Sequence, residues 1–61
     1  MRYVKTENKI GFNCITENKP YKANFTHPNH FIISNDLGIR NYYSFLYGGW
    51  VECDKDGNGI K

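Results

Sequence analysis

The alternation of apolar and polar positions is clearest between Phe31 and Tyr43, FIISNDLGIRNYY, where two short runs rich in β-branched and aromatic residues flank a polar segment. Such residues suit a pleated, half-buried surface, so 31–34 and 39–43 read as two paired strands. Between them, Asn35 and Asp36 favour the early positions of a turn by bonding their own backbone. Gly38 accepts the left-handed conformation that closes a three-residue loop with a bulge. Two registers are open. A four-residue loop pairs Ser34 with Ile39 and places Ile33 on a face with Arg40. A loop of Asp36-Leu37-Gly38 pairs Asn35 with Ile39, gathers Phe31, Ile33, Ile39 and Tyr43 on one face, and leaves Ile32, Ser34, Arg40 and Tyr42 on the other. The second segregates polarity, and a one-residue slip would turn every side chain to the wrong face, so it is the expected register. A positive φ at Gly38 follows.

Elsewhere the pattern is shorter. RYVK at 2–5 reads as a first strand with Val4 inward and Tyr3 and Lys5 outward. From Thr6 to Pro20 periodicity is lost, and the segment is expected to be a long loop pinned by Ile10, Phe12, Cys14 and Ile15. Tyr21, Ala23 and Phe25 alternate with polar residues in a second strand, with Pro20 at its start, where no ladder donor is needed. Residues 26–30, THPNH, are a loop by composition. Ser44 can cap a single 3₁₀-like turn that Gly48 and Gly49 end. Trp50-Val51-Glu52-Cys53 alternates again, with Val51 and Cys53 expected inward, and 54–61 is a polar, glycine-rich tail expected to fray. The sum is an all-β chain of five short strands, one domain over 1–53 and a polar tail over 54–61.

This order, with its long first loop, tight hairpin between strands three and four and one helical turn before the last strand, resembles the SH3-like small barrel. More narrowly, Cys14-Ile15-Thr16, then Asn18-Lys19-Pro20-Tyr21, then the run from Phe31 to Gly38 are similar to small SH3-like proteins encoded by bacteriophages, over about residues 12–52. That group tends to show a threonine and a glycine-lysine before a tyrosine, and an asparagine-aspartate-x-glycine hairpin. Here Asn18 stands where the glycine would, and Pro20 is a second departure. The resemblance implies a five-stranded SH3-like barrel and an accessory phage protein. Such a protein would act in the host cytoplasm by binding and inhibiting a host or defence protein, without a cofactor.

Length and composition narrow this further. A chain of 61 residues makes one domain, and at that size folding buries only ~60% of the unfolded surface. Self-association as a homodimer or higher oligomer is therefore expected, the more so if sheet edges are exposed. Hydrophobic content is 39%, but five Tyr, four Phe and one Trp supply large buried areas. A net charge of +2 argues against an acidic nucleic-acid mimic and against a polybasic arm. Arg2-Tyr3-Val4-Lys5 follows Met1 with no apolar leader, and no run approaches the ~20 apolar residues of a membrane span, so a cytosolic protein without a membrane partner is expected. In that compartment Cys14 and Cys53 are expected as free thiols, unless the fold brings the first and last thirds together.

Asp54, Asp56 and Asn58, with Gly59, match the opening of a calcium loop. The glutamate at position twelve and the flanking helices do not follow, so a solvated tail is the expectation. A zinc site from Cys14, Cys53, His27 and His30 is opposed by spacing: the cysteines are not paired and only two residues separate the histidines. The same residues could supply a Cys–His nucleophile, but no activating context is visible and a domain this small offers little room for a deep cleft, so no catalysis is expected. Asn24-Phe25-Thr26 fits a glycosylation sequon that carries no weight without a secretory signal. What remains is an outward set of Tyr3, Lys5, Lys22, Arg40, Tyr42 and Trp50. Cations interleaved with aromatics can stack bases and track phosphate, anchor a protein interface, or simply cover and solvate a sheet. The modest charge favours a protein partner, with a nucleic acid or nucleotide as the alternative.

Overall fold

In the computed structural model, which describes residues 2–8 and 14–59, the chain forms β1 (Arg2–Thr6), β2 (Tyr21–His27), β3 (His30–Ser34), β4 (Arg40–Ser44) and β5 (Trp50–Cys53). All ladders are antiparallel and join into one sheet of order β4-β3-β2-β1-β5. The β3–β4 hairpin adopts the register that segregates polarity. Phe31 faces Tyr43, Ile32 faces Tyr42 and Ser34 faces Arg40, and the Asn35 amide donates to Ile39 O at 2.9 Å. Gly38 has φ +79°, as that loop requires. Asn35 Oδ1 accepts from the amides of Leu37 and Ile39 at 2.9 and 3.0 Å, so one side chain satisfies two turn donors.

The chain uses the same turn a second time. Asp54 Oδ1 accepts from the amides of Asp56 and Asn58, both at 2.9 Å. The Asp54 amide donates to Asn58 O at 2.9 Å, and Gly57, φ +86°, takes the place of Gly38. Gly59 then bridges back to Cys53. Through residue 59 the expected frayed tail is therefore a folded turn; its polar composition is that of an Asx turn, which satisfies its donors internally.

Two other local expectations shift. The 26–30 loop shrinks to Pro28-Asn29, because β2 continues to His27, which faces His30, with a register shift between Phe25 and His27 that marks a bulge. Ser44 caps the turn after β4 by accepting the Leu46 amide at 3.0 Å on its hydroxyl, but the segment is a series of turns and not a 3₁₀ helix. β4 and β5 are the two edges, with no ladder joining them among the described residues. The sheet is thus open, and of the expected SH3-like barrel it shows the all-β, five-stranded antiparallel architecture. Among the described residues no helix is long and apolar enough to cross a membrane.

The core lies on one face of this sheet. Phe31 is fully buried, with ring centroids 5.2 Å from Phe25, 4.9 Å from Phe45 and 5.7 Å from Trp50. Val4, Ile15, Tyr21 and Ile33 complete it; Ile10 and Phe12, the other expected anchors, lie outside the described residues. Thr6 is also buried, its hydroxyl donating to Gly48 O.

Trp50 corrects the sequence reading: it is 3% exposed, while Val51 is only half-buried. Trp50 pairs with Thr6 and Glu52 with Val4, so Trp50 and Glu52 share the face of Val4. The carboxylate tolerates that side because Arg2 grips it from the neighbouring strand. Arg2 Nε and Nη2 donate to Glu52 at 2.8 and 3.0 Å, and the guanidinium lies 3.5 Å over the Phe25 ring. Ile39 differs in the opposite sense. It sits on the core side of the register but is 54% exposed, because β4 is an edge and nothing described lies beyond it.

A Cβ built at Gly38 meets nothing within 4 Å, so substitution there tests backbone conformation alone. Gly38→Val is expected to destabilise by roughly 1–2 kcal/mol, the cost of holding a side-chain-bearing residue at positive φ. Urea unfolding with an unchanged m-value checks it.

Candidate interaction face

The hairpin that carries Arg40 and Tyr42 is held in place by Asp36. Its carboxylate accepts from Tyr21 Oη at 2.7 Å, Lys19 Nζ at 2.8 Å and Thr16 Oγ1 at 2.7 Å. The Asp36 amide donates to Cys14 O at 2.8 Å, and Tyr21 Oη accepts the Thr16 amide at 2.7 Å. The bond from Lys19, with those from Thr16 and Tyr21, holds the Asp36 carboxyl down at about 2, against 3.8 for the ordinary group. Burial pushes the Tyr21 hydroxyl up, and Lys19 is raised by its bond to Asp36. The first loop is thereby fastened to the tip of the β3–β4 hairpin.

Behind that clasp the outer face of the sheet can be read from the pairings. Tyr3 faces Lys22 and Cys53, Lys5 faces Val51, Asn24 faces Ile32, Ile32 faces Tyr42, and Ser34 faces Arg40. Tyr3, Lys5, Lys22, Arg40 and Tyr42 therefore share one face, and Trp50 is on the other, in the core. The five are not equally available. The Lys5 side chain is 15% exposed with Nζ 4.0 Å from Glu7, and Tyr3 is half-buried. Lys22, Arg40 and Tyr42 are exposed.

Lys22 and Arg40 line one groove of about 380 Å³ with Ala23, Asn24, Ile32 and Ser34. Neither makes an ion pair among the described residues, whereas Arg2 and Lys19 are held by carboxylates. Tyr42, 71% exposed, stands between this groove and two further hollows. One, of about 370 Å³, is shared with His30, Tyr43, Ser44 and Tyr47; the other, of about 300 Å³, with Thr26, His27 and His30. Sequence reasoning did not place His30, Leu46 or Tyr47 beside this face. The one available signal was a turn segment carrying large apolar side chains, Leu46-Tyr47, with no strand pattern to bury them.

The metal candidates are placed differently. Asp54 Oδ1 is taken by two amides of its own turn, and these bonds hold its carboxyl below the ordinary value. The turn's left-handed glycine is Gly57, the fourth position, where a calcium loop turns at the sixth. Among the described residues no group of three or more His, Cys, Asp or Glu converges. His27 and His30 stack edge-on at 5.7 Å on the β2–β3 turn. Cys14 and Cys53 are free thiols; Cys53 is buried on β5, and burial pushes its thiol up. Compared with profiles of known families, with curated proteins and with solved structures, the chain matches none.

The depressed Asp36 pKa stabilises the fold fully above the unfolded value of 3.8, and this contribution is lost as pH falls through about 2. Urea midpoints should decline between about pH 4 and pH 2 in the native chain. Asp36→Asn should lower the midpoint at neutral pH and flatten that decline, measured as the difference between the two chains across a pH series.

Proposed function

We propose that this chain is a non-catalytic binding protein of the SH3-like small-barrel type that bacteriophages encode. In this reading it engages and inhibits a host or bacterial defence protein in the host cytoplasm, through the outer face at Lys22, Arg40 and Tyr42. One observation carries the binding role. Among the described residues the exposed large apolar side chains, Leu37, Ile39, Tyr42, Leu46 and Tyr47, all fall in one segment around β4. Exposed apolar side chains clustered along one short segment, with Lys22 and Arg40 in no ion pair among the described residues, are the composition of a protein interface, where Tyr and Arg act as anchors.

The barrel part of the reading is supported by the sheet order, in which the last strand returns to pair with the first. It is supported too by β2, which gives its first half to β1 and its bulged second half to β3. A second reading, a nucleic-acid or nucleotide binder, is favoured by Lys22 and Arg40 lining the same groove. It ranks behind the first because a net charge of +2 provides little salt-driven affinity.

Capture from bacterial lysate should recover one stoichiometric protein partner. The double variant Arg40→Glu with Tyr42→Ala should weaken that complex by tenfold or more, while unfolding stability changes by no more than about 0.5 kcal/mol. Recovery of no partner counts against the protein reading. An oligonucleotide retained at low salt and released as salt rises would move the assignment to the second.

A further inference from the structure

We propose that β4 pairs with β4 of a second copy of this chain, in the antiparallel register that sets Arg40 against Tyr42 of the other copy, making one continuous sheet across a two-fold axis. This goes beyond the binding role and needs no partner of another kind.

The argument starts from which backbone groups of β4 are committed. The Asn35 amide bonds Ile39 O at 2.9 Å at one end of the hairpin ladder, and the Phe45 amide bonds Asn29 O at 3.0 Å at the other. Antiparallel alternation then turns the N–H and C=O of Asn41 and Tyr43 toward β3, and those of Arg40 and Tyr42 away from it. Ser44, next in the outward series, already gives its carbonyl to the Tyr47 amide at 3.4 Å. Among the described residues Arg40 and Tyr42 are thus left with two donors and two acceptors facing outward on an edge strand.

Natural edges are blunted by proline, bulges, charged side chains or a covering segment, and the one charge on β4, Arg40, meets a tyrosine and not a like charge in the proposed pairing. β4 reads Arg-Asn-Tyr-Tyr-Ser, with no proline and no register shift. The opposite edge is treated differently, since the Asp54 turn folds Gly59 back against Cys53 of β5.

The strand is complementary to itself in one register. With Arg40 opposite Tyr42 of the second copy, the outward backbone groups of Arg40 and Tyr42 in both chains are satisfied reciprocally. On the outer face each guanidinium meets a tyrosine ring. On the core face Ile39, 54% exposed in one chain, comes opposite the second copy's half-buried Tyr43, and Asn41 meets Asn41. Shifting the strands by one pair in one direction sets Arg40 against Arg40. Shifting the other way draws on Ser44, whose carbonyl already accepts the Tyr47 amide as the chain turns away. A two-fold contact of this kind uses each β4 edge once and closes at two copies.

Sedimentation equilibrium from micromolar to millimolar concentration tests this directly. The weight-average mass should rise toward twice that of one chain. Tyr42→Arg, which sets cation against cation at both pairs, should raise the dissociation constant about tenfold or more. Tyr42→Glu, which sets carboxylate against Arg40 twice, should leave it unchanged or lower it. Far-ultraviolet dichroism and urea midpoints confirm that both variants are folded. A mass that stays at one chain throughout overturns the proposal, and so does a dimer whose dissociation constant responds alike to both substitutions. Because the measurement contains only this chain, its failure is separate from failure of the host-partner reading.

Discussion

The carboxylate of Asp36 is the point at which three separated parts of the chain are tied. It receives Thr16 and Lys19 from the first loop and Tyr21 from the start of β2, while its own amide reaches Cys14. Tyr21 is the pivot. Its ring packs edge-on against Trp50 at 6.3 Å, and its hydroxyl both donates to Asp36 and accepts from Thr16. A buried tyrosine must satisfy that hydroxyl, so core packing and loop placement are one constraint. Asp36 can serve because the preceding residue, Asn35, locks the turn that presents it.

This explains what was legible in the sequence. The hairpin register and the positive φ of Gly38 followed from polarity, because only one alignment puts Ile39 and Tyr43 on the face of Phe31 and Ile33. Thr16, Lys19, Tyr21 and Asp36 are the members of the clasp, and their polar pattern describes how the first loop is fastened. Asn18 within that loop has φ +63°, and asparagine is among the few residues with a side chain that accept this region. Polarity misled at Trp50 and Glu52, because a glutamate gripped by Arg2 at the rim of the core looks like a solvent-facing residue in sequence. It misled again at 54–59, where a run of Asp, Asn and Gly is the composition of both a fray and a tight turn.

The candidate face was legible as a set and not as a site. Period-two alternation was enough to put Tyr3, Lys5, Lys22, Arg40 and Tyr42 on one side. It could not say which cations have partners, since ion pairs such as Arg2 with Glu52 and Lys19 with Asp36 join residues far apart in the chain. Those pairs leave Lys22 and Arg40 as the cations of the groove. Tyr47 and Leu46 escaped for a different reason: strand periodicity says nothing about side chains in turns.

The pairing of β1 with β5 sets the order in which such a sheet can assemble. The β2–β3 and β3–β4 hairpins join neighbouring segments, and contacts of that kind form in microseconds. The ladder from Tyr3–Cys53 to Thr6–Trp50 spans nearly the whole chain, and its loop-closure entropy must be met before any of its bonds form. High contact order of this sort slows folding into the millisecond-to-second range. Until that step Trp50 has no Thr6 beside it and the aromatic core is incomplete. The two local hairpins by themselves define a three-stranded meander with its apolar face uncovered and β4 at its edge.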